Sequence, residues 1–290
     1  MHALLRMIKM ARKYLGLIIV SFALVLFSSA LTMATPFVIS RLTAALNSAA
    51  GARMDVVASL SVALAGAYLI RAVFKGGSAC LGHYCAWHFV PWLTTQVYDK
   101  LQKLSMRFYH DRQTGELMSR AVNDARQMEL LVAHILPDMM SNVLIVILVT
   151  VALFMINPLL AALTLIPIPI IVISSVVFMK KQEPVNARAF SILGEINGAL
   201  QDNISGIKEI QAFSKETHEH EKIAGLCRDY TRANISWSRN SGVFYPLIEF
   251  LTSLGTIIVI AVGGWLAVRG HMTSADIIGF VLYLSLYYQP

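Results

Sequence analysis

Between Leu136 and Met179 the chain carries a single charged residue, Asp138. A bilayer core takes about 20 apolar residues of helix to cross, so this one stretch is long enough for two crossings. Asn157-Pro158 supplies the turn signal that divides it. Comparable runs occur elsewhere, and the expected spans are residues 14–39, 56–81, 139–156, 159–179 and 243–268. A sixth begins near Ile277 and is expected to be incomplete at Pro290. Composition agrees: 56% of the 290 residues are hydrophobic, only 14% are charged, and mean hydropathy is +0.61. An ordinary soluble domain carries about 25% charged residues. A soluble enzyme, a coiled coil, a disordered chain and a disulfide scaffold are all disfavoured. The fold class expected is an all-α polytopic membrane protein. The first run is too long for a cleaved signal peptide and reads as a retained span.

Lys and Arg fix the expected orientation. Four precede the first span (Arg6, Lys9, Arg12, Lys13), six lie in 100–126 and nine in 180–239. Only Arg41, Arg53 and Arg269 fall in the opposite loops, while Arg71 and Lys75 fall inside the second span. The positive-inside rule then places the N-terminus and both long connections in the cytoplasm. The net charge of +7 is explained by this bias, so no nucleic-acid partner is expected. The cytoplasmic connections, about 96–126 and 180–239, do not read as loops. Leu193, Ile196, Leu200, Ile204, Ile207 and Ile210 recur at three- and four-residue intervals, the pattern of an amphipathic helix. This predicts long helical rods in two hairpins, turning near Asp111–Gly115 and near Ser214–His220. Rods of that length suit a soluble machine docked at their tips.

At these tips the residues resemble a known family. Ser105 to Asp124 (SMRFYHDRQTGELMSRAVND) is similar to the first intracellular loop of ABC exporters, with Phe108, Tyr109, Gly115, Leu117, Ser119, Arg120 and Asp124 in its pattern. The stretch from Gly206 (GIKEIQAFSKETHEHEKI) resembles the second loop, with Ile207, Ile210, Phe213, Glu216 and Glu219 in register. The end of the chain, Gly263-Gly264 through Gly270 and Thr273 to Tyr283, looks like the family's fifth-to-sixth helix hairpin. The resemblance runs from about Tyr14 to Pro290. It implies that the tips are coupling helices, the first including Glu116 and the second Glu209, seated on nucleotide-binding domains. It implies a plasma (inner) membrane location, a second transmembrane domain as partner, and a lipid, drug or other amphipathic substrate. ATP and Mg²⁺ would belong to the nucleotide-binding domains, since Gly-x-x-x-x-Gly-Lys-[Ser/Thr] occurs nowhere in the sequence. No cofactor and no catalytic residue is therefore expected in this chain, which is expected to be the transmembrane part of a longer protein. Independently of the family, Asp124 is placed to favour the start of a helix. Pro167 and Pro169 are placed to kink the fourth span.

Arg71 and Lys75 are four residues apart, about 40° around one helix face. A mid-span cation is expected to face a wet cavity rather than lipid. These two residues and Glu249 are the candidate substrate cavity, the alternative being that Glu249 or Asp138 pairs with the cations structurally. Cys80, His83, Cys85 and His88 lie at spread angles on one helix and cannot converge on one ion, so no metal is expected there. Two other functional classes stay open: an ion-coupled secondary transporter, which predicts inverted repeats, and a non-transporting membrane module that regulates a partner.

Overall fold

A computed structural model describes residues 15–47, 54–110, 117–118 and 120–290. Every regular element among them is helical. α1 is Leu15–Ala30 and α2 is Ala34–Leu46, joined by a 3₁₀ turn at Leu31–Met33. Pro36, with no N–H and a ring that crowds the preceding turn, accounts for that tightening. α3 is Met54–Gln102 and α4 is Met106–His110. A π turn at Arg120–Asp124 leads into α5, Ala125–Leu130; a second π turn, Leu131–Ile135, leads into α6, Leu136–Ile156. α7 is Pro158–Thr164, α8 Pro167–Ser205, α9 Ile207–Ala212 and α10 Glu216–Ile258. A π turn at Val259–Gly263, α11 at Gly264–Val268 and α12 at Ser274–Tyr288 complete the order. Five helical runs are long and apolar enough to cross a membrane: Leu15–Leu46, Met54–Gln102, Ala121–Ile156, Pro158–Ser205 and Glu216–Val268. The protein is an all-α polytopic membrane domain.

Local chemistry explains the breaks. Asn157 leaves the helix (φ −157°, ψ 112°), ending α6, and its Oδ1 accepts from the Leu160 amide at 3.0 Å to open α7. Pro158 at the first position of α7 has no amide that needs a partner. Between α7 and α8 the helical hydrogen bonding breaks at residues 165–166 ahead of Pro167, with Ile166 still helical (φ −56°, ψ −41°), so the interruption falls within the single run Pro158–Ser205. Pro169 lies inside α8. The predicted rod through Phe213 also ends early, since α8 stops at Ser205 and Gly206 (φ −98°, ψ 25°) separates it from α9. Ile207 and Ile210 therefore belong to a separate short helix. Asp124 does not start a helix with its side chain either. It closes a π turn inside a helical run already under way and makes no side-chain cap.

Two compact units divide the chain. One comprises Met1–Ala161 with Val259–Pro290, the other Ala162–Ile258. In the first, α1 packs on α3, and α12 packs on α2 and α6. Ser21 and Ser78 bond reciprocally across α1 and α3: each hydroxyl donates to the other's carbonyl, at 3.0 and 2.8 Å. The Ser29 hydroxyl of α1 and the Ser141 hydroxyl of α6 share a single hydrogen bond at 2.5 Å. Hydroxyl pairs of this kind hold membrane helices together where water cannot compete. Val149, Leu153, Leu160, Val259, Phe280 and Leu284 form the dry core. Trp265 carries Arg269 over its ring at 4.0 Å, and α11 ends at Gly270 in the left-handed region (φ 77°). Thr273 and Asp276 then cap α12 reciprocally. In the second unit α8 and α10 form a long pair, with Phe178 stacked on Phe244 at 3.9 Å and 7° and Gln182 donating to the Trp237 carbonyl at 3.3 Å.

Candidate functional site: the helical tips and the intramembrane cations

α3 has 49 residues, α8 has 39 and α10 has 43. At 1.5 Å per residue these lengths are about 73, 58 and 64 Å, roughly twice a bilayer core of about 30 Å. The surplus of α8 and α10 ends at the tip formed by α9. Gly206 breaks α8, α9 makes one and a half turns, and Phe213 (φ −99°) ends it. The Lys215 amide reaches back to the Ile210 carbonyl at 2.9 Å and Ser214 takes a positive φ of 52°, so the chain reverses within three residues. Apolar side chains stand open on both sides of Gly206: Ile204 at the end of α8 is 72% exposed and Phe213 74%. Glu209 and Glu216 are exposed beside them. Glu219 is half-buried, with Lys222 at 3.6 Å and His218 at 4.0 Å. The second tip thus exposes apolar side chains in a segment of mixed charge, with Lys208 and Lys215 exposed as well as Glu209 and Glu216.

At the first tip Phe108 and Tyr109 lie on α4, edge to face at 5.5 Å. The Tyr109 hydroxyl donates to the Leu101 carbonyl at 2.5 Å, tying α4 to the end of α3. Leu117 is buried within the chain, whereas the neighbouring Met118 and the earlier Met106 are 63% and 83% exposed. Asp124 is exposed. Gly115, Glu116 and Ser119 lie outside the described residues, as do the predicted turn at Asp111–Gly115 and the basic residues that precede the first span; for Arg120 only the backbone is described.

Arg71 is half-buried and Lys75 exposed on α3, in a helix whose most apolar window buries none of its residues within the chain. Among the described residues of their own unit, neither cation forms an ion pair with Asp138 or another carboxylate. Glu249 is exposed on α10, its backbone carbonyl accepting from Thr252 and Ser253 at 2.8 Å each.

One cluster was not anticipated. His83 of α3 lies with Glu129 of α5 and His134 of the following π turn, with Nδ1 of His83 3.0 Å from Oε1 of Glu129 and the imidazole rings edge to face at 4.9 Å. Residues 83, 129 and 134 share no motif spacing. Only the packing of α3 on the helix after it brings them together. Cys80 and Cys85, which do have a motif-like spacing with His83, split instead: Cys80 is exposed and Cys85 buried.

Residues 18–290 match the family model of the ABC transporter transmembrane region. The ATP-dependent lipid A-core flippase of Syntrophus aciditrophicus is 25% identical over 285 residues, covering 98% of this chain and 47% of that protein. An uncharacterized ABC transporter ATP-binding protein of Bacillus subtilis is 26% identical over 244 residues, 83% of this chain and 42% of its own length. A fatty acid ABC transporter ATP-binding/permease protein of Mycobacterium tuberculosis is 25% identical over 232 residues, 80% and 37%. The chain spans less than half the length of each of these relatives.

Proposed function

The chain belongs to the ABC transporter transmembrane region family, and from that premise we propose that it is the substrate-translocating part of an ATP-driven exporter of lipids or other amphipathic molecules. Two such domains, identical or not, surround the pathway. Nucleotide-binding domains sit on the helical tips in the cytoplasm, where the N-terminus also lies, and the assembly works in the plasma (inner) membrane. ATP and Mg²⁺ belong to those domains, for this chain offers no phosphate-binding loop. The names of the flippase and fatty acid relatives support an amphipathic cargo.

The observation that carries this reading is the second tip. A side chain as large as Phe213 left 74% exposed at the end of a rod, in a segment that also carries the charged residues Glu209, Lys215, Glu216 and Glu219, has the form of an interface anchor inside a polar rim. Truncating such an anchor costs about 2 kcal/mol or more, a loss of roughly thirtyfold in docking. Coupling between two sites needs the element that joins them. In the reconstituted full-length protein, Phe213→Ala is expected to leave resting substrate affinity unchanged and to abolish substrate stimulation of ATP hydrolysis, while basal hydrolysis persists. Normal stimulation in Phe213→Ala and Glu216→Ala alike would reject the tip as a coupling element.

A further inference from the structure

We propose that His83, Glu129 and His134 form a binding site for a divalent transition metal of the zinc class, clamping α3 to the helical run that follows it. The site is independent of the transport reading.

The π turn is what creates it. Glu129 and His134 are five residues apart, and at 100° per residue an α-helix would set them about 140° apart around the axis. Between them the chain enters the π turn Leu131–Ile135, whose i to i+5 bonding brings residues five apart onto one face. π turns inside helices concentrate at functional sites. The second contributor is a close approach. Gly82 is buried against Ala133, and a Cβ placed on it would lie 3.6 Å from the Ala133 Cα. The residues next in sequence on each side are His83 and His134. Two small residues in contact thus set two imidazoles side by side.

The donor geometry suits the ion. One ligand atom from each residue lies within 4.8 Å of the others. Donors about 2.0–2.1 Å from a tetrahedral ion are about 3.3 Å from one another. His83 Nδ1 and Glu129 Oε1, at 3.0 Å, already stand near that separation. His134 is exposed, so its ring is free to close the remaining gap by side-chain rotation. The His83 and Glu129 side chains keep 39% and 21% of their surface open, which leaves the ion a path in. Two imidazoles and one carboxylate are a borderline nitrogen and oxygen set. They suit zinc and its first-row neighbours over Ca²⁺ or Mg²⁺, which prefer all-oxygen shells, and over Cu⁺, which prefers sulfur. Three protein ligands leave a fourth position for water. For a neutral His83, ligation through Nδ1 moves that atom's proton to Nε2 of the same ring, leaving Nδ1 and the Glu129 carboxylate both free to coordinate.

The test uses the full chain in detergent, untagged and stripped with a chelator, titrated with Co²⁺ by visible absorption and then displaced with Zn²⁺. One Co²⁺ per chain is expected. His134→Gln and Glu129→Gln are each expected to weaken it at least about tenfold, since even groups that only support a ligand are worth that much. The double variants Cys80→Ser/Cys85→Ser and His218→Gln/His220→Gln are expected to bind as the parent does. Absence of saturable Co²⁺ binding in the parent overturns the proposal and leaves a plain hydrogen-bonded cluster. Unchanged affinity in both single variants overturns it as well. X-ray absorption at the zinc edge of the parent needs no substitution and is decisive if a variant misfolds. A nitrogen and oxygen shell at about 2.0–2.1 Å supports the site, and a sulfur shell at about 2.3 Å overturns it.

Discussion

Gly279 shows how much a single hydrogen atom in place of a side chain can decide in a membrane bundle. It is buried on α12, and a Cβ built there would stand 3.0 Å from the Cβ and 3.1 Å from the Oγ of Ser40. The same Ser40 hydroxyl donates to the Ala275 carbonyl at 3.1 Å, so α2 and α12 are pinned as well as close. Close approach of this kind is how lipid-embedded helices gain packing without a hydrophobic drive between them. Gly279→Leu is expected to push the helices apart at a cost of roughly 1–3 kcal/mol, the range for overpacking. The measurement is the thermal unfolding midpoint in detergent. Gly76→Leu is the control, since nothing lies within 4 Å of a Cβ there; an equal drop in both would show that the Ser40 contact is not the cause. Neither Gly279 nor the His83 cluster was legible in the sequence. Both depend on which helices touch, and a glycine or histidine in an apolar run carries no mark of its neighbour.

At the scale of elements the apolar runs were legible, because length and hydropathy alone set what can cross a bilayer. Where the helices break was less so. The break between α7 and α8 had Pro167 as its signal. The π turns at Arg120–Asp124 and Leu131–Ile135 hold no proline or glycine themselves, but Pro137, with no N–H for the Ala133 carbonyl, accounts locally for the second. The break at Gly206 was masked by Ile207 and Ile210, which happen to keep the period of the preceding rod. A spin label moved singly along 186–213 tests the difference. Mobility is expected to oscillate with a period near 3.6 residues up to Ser205 and to lose that phase at Gly206. A single unbroken phase through Phe213 would restore the one-rod reading, and uniform mobility from 186 onward would remove the rod.

For the whole molecule the question is why two cations stand in the middle of an apolar helix. Arg71 and Lys75 sit in α3, whose most apolar 18-residue stretch has a mean hydropathy of 1.9, and among the described residues of their own unit no carboxylate pairs with either. A cation held at the bilayer centre costs about 2.5–3.5 kcal/mol on insertion scales. A role in the assembled transporter offsets that cost if the charge meets a water-filled pathway and an anionic cargo within it. Of the two structural alternatives, pairing with Asp138 is not what α3 and α6 show, while Glu249 belongs to the other compact unit. On this reading Arg71→Ala in the reconstituted full-length protein is expected to lower transport of an anionic amphiphile about tenfold, equivalent to 1.4 kcal/mol. Transport of a neutral amphiphile of similar size is expected to change little, because only the anion interacts with the lost charge. Arg71→Lys is expected to recover part of the anionic rate, as it keeps the charge but not the planar fork. The comparison of cargoes separates charge from fold: a variant that is merely destabilised loses both rates together. An equal loss for both cargoes, or full activity of Arg71→Ala toward the anion, would place these cations outside the pathway.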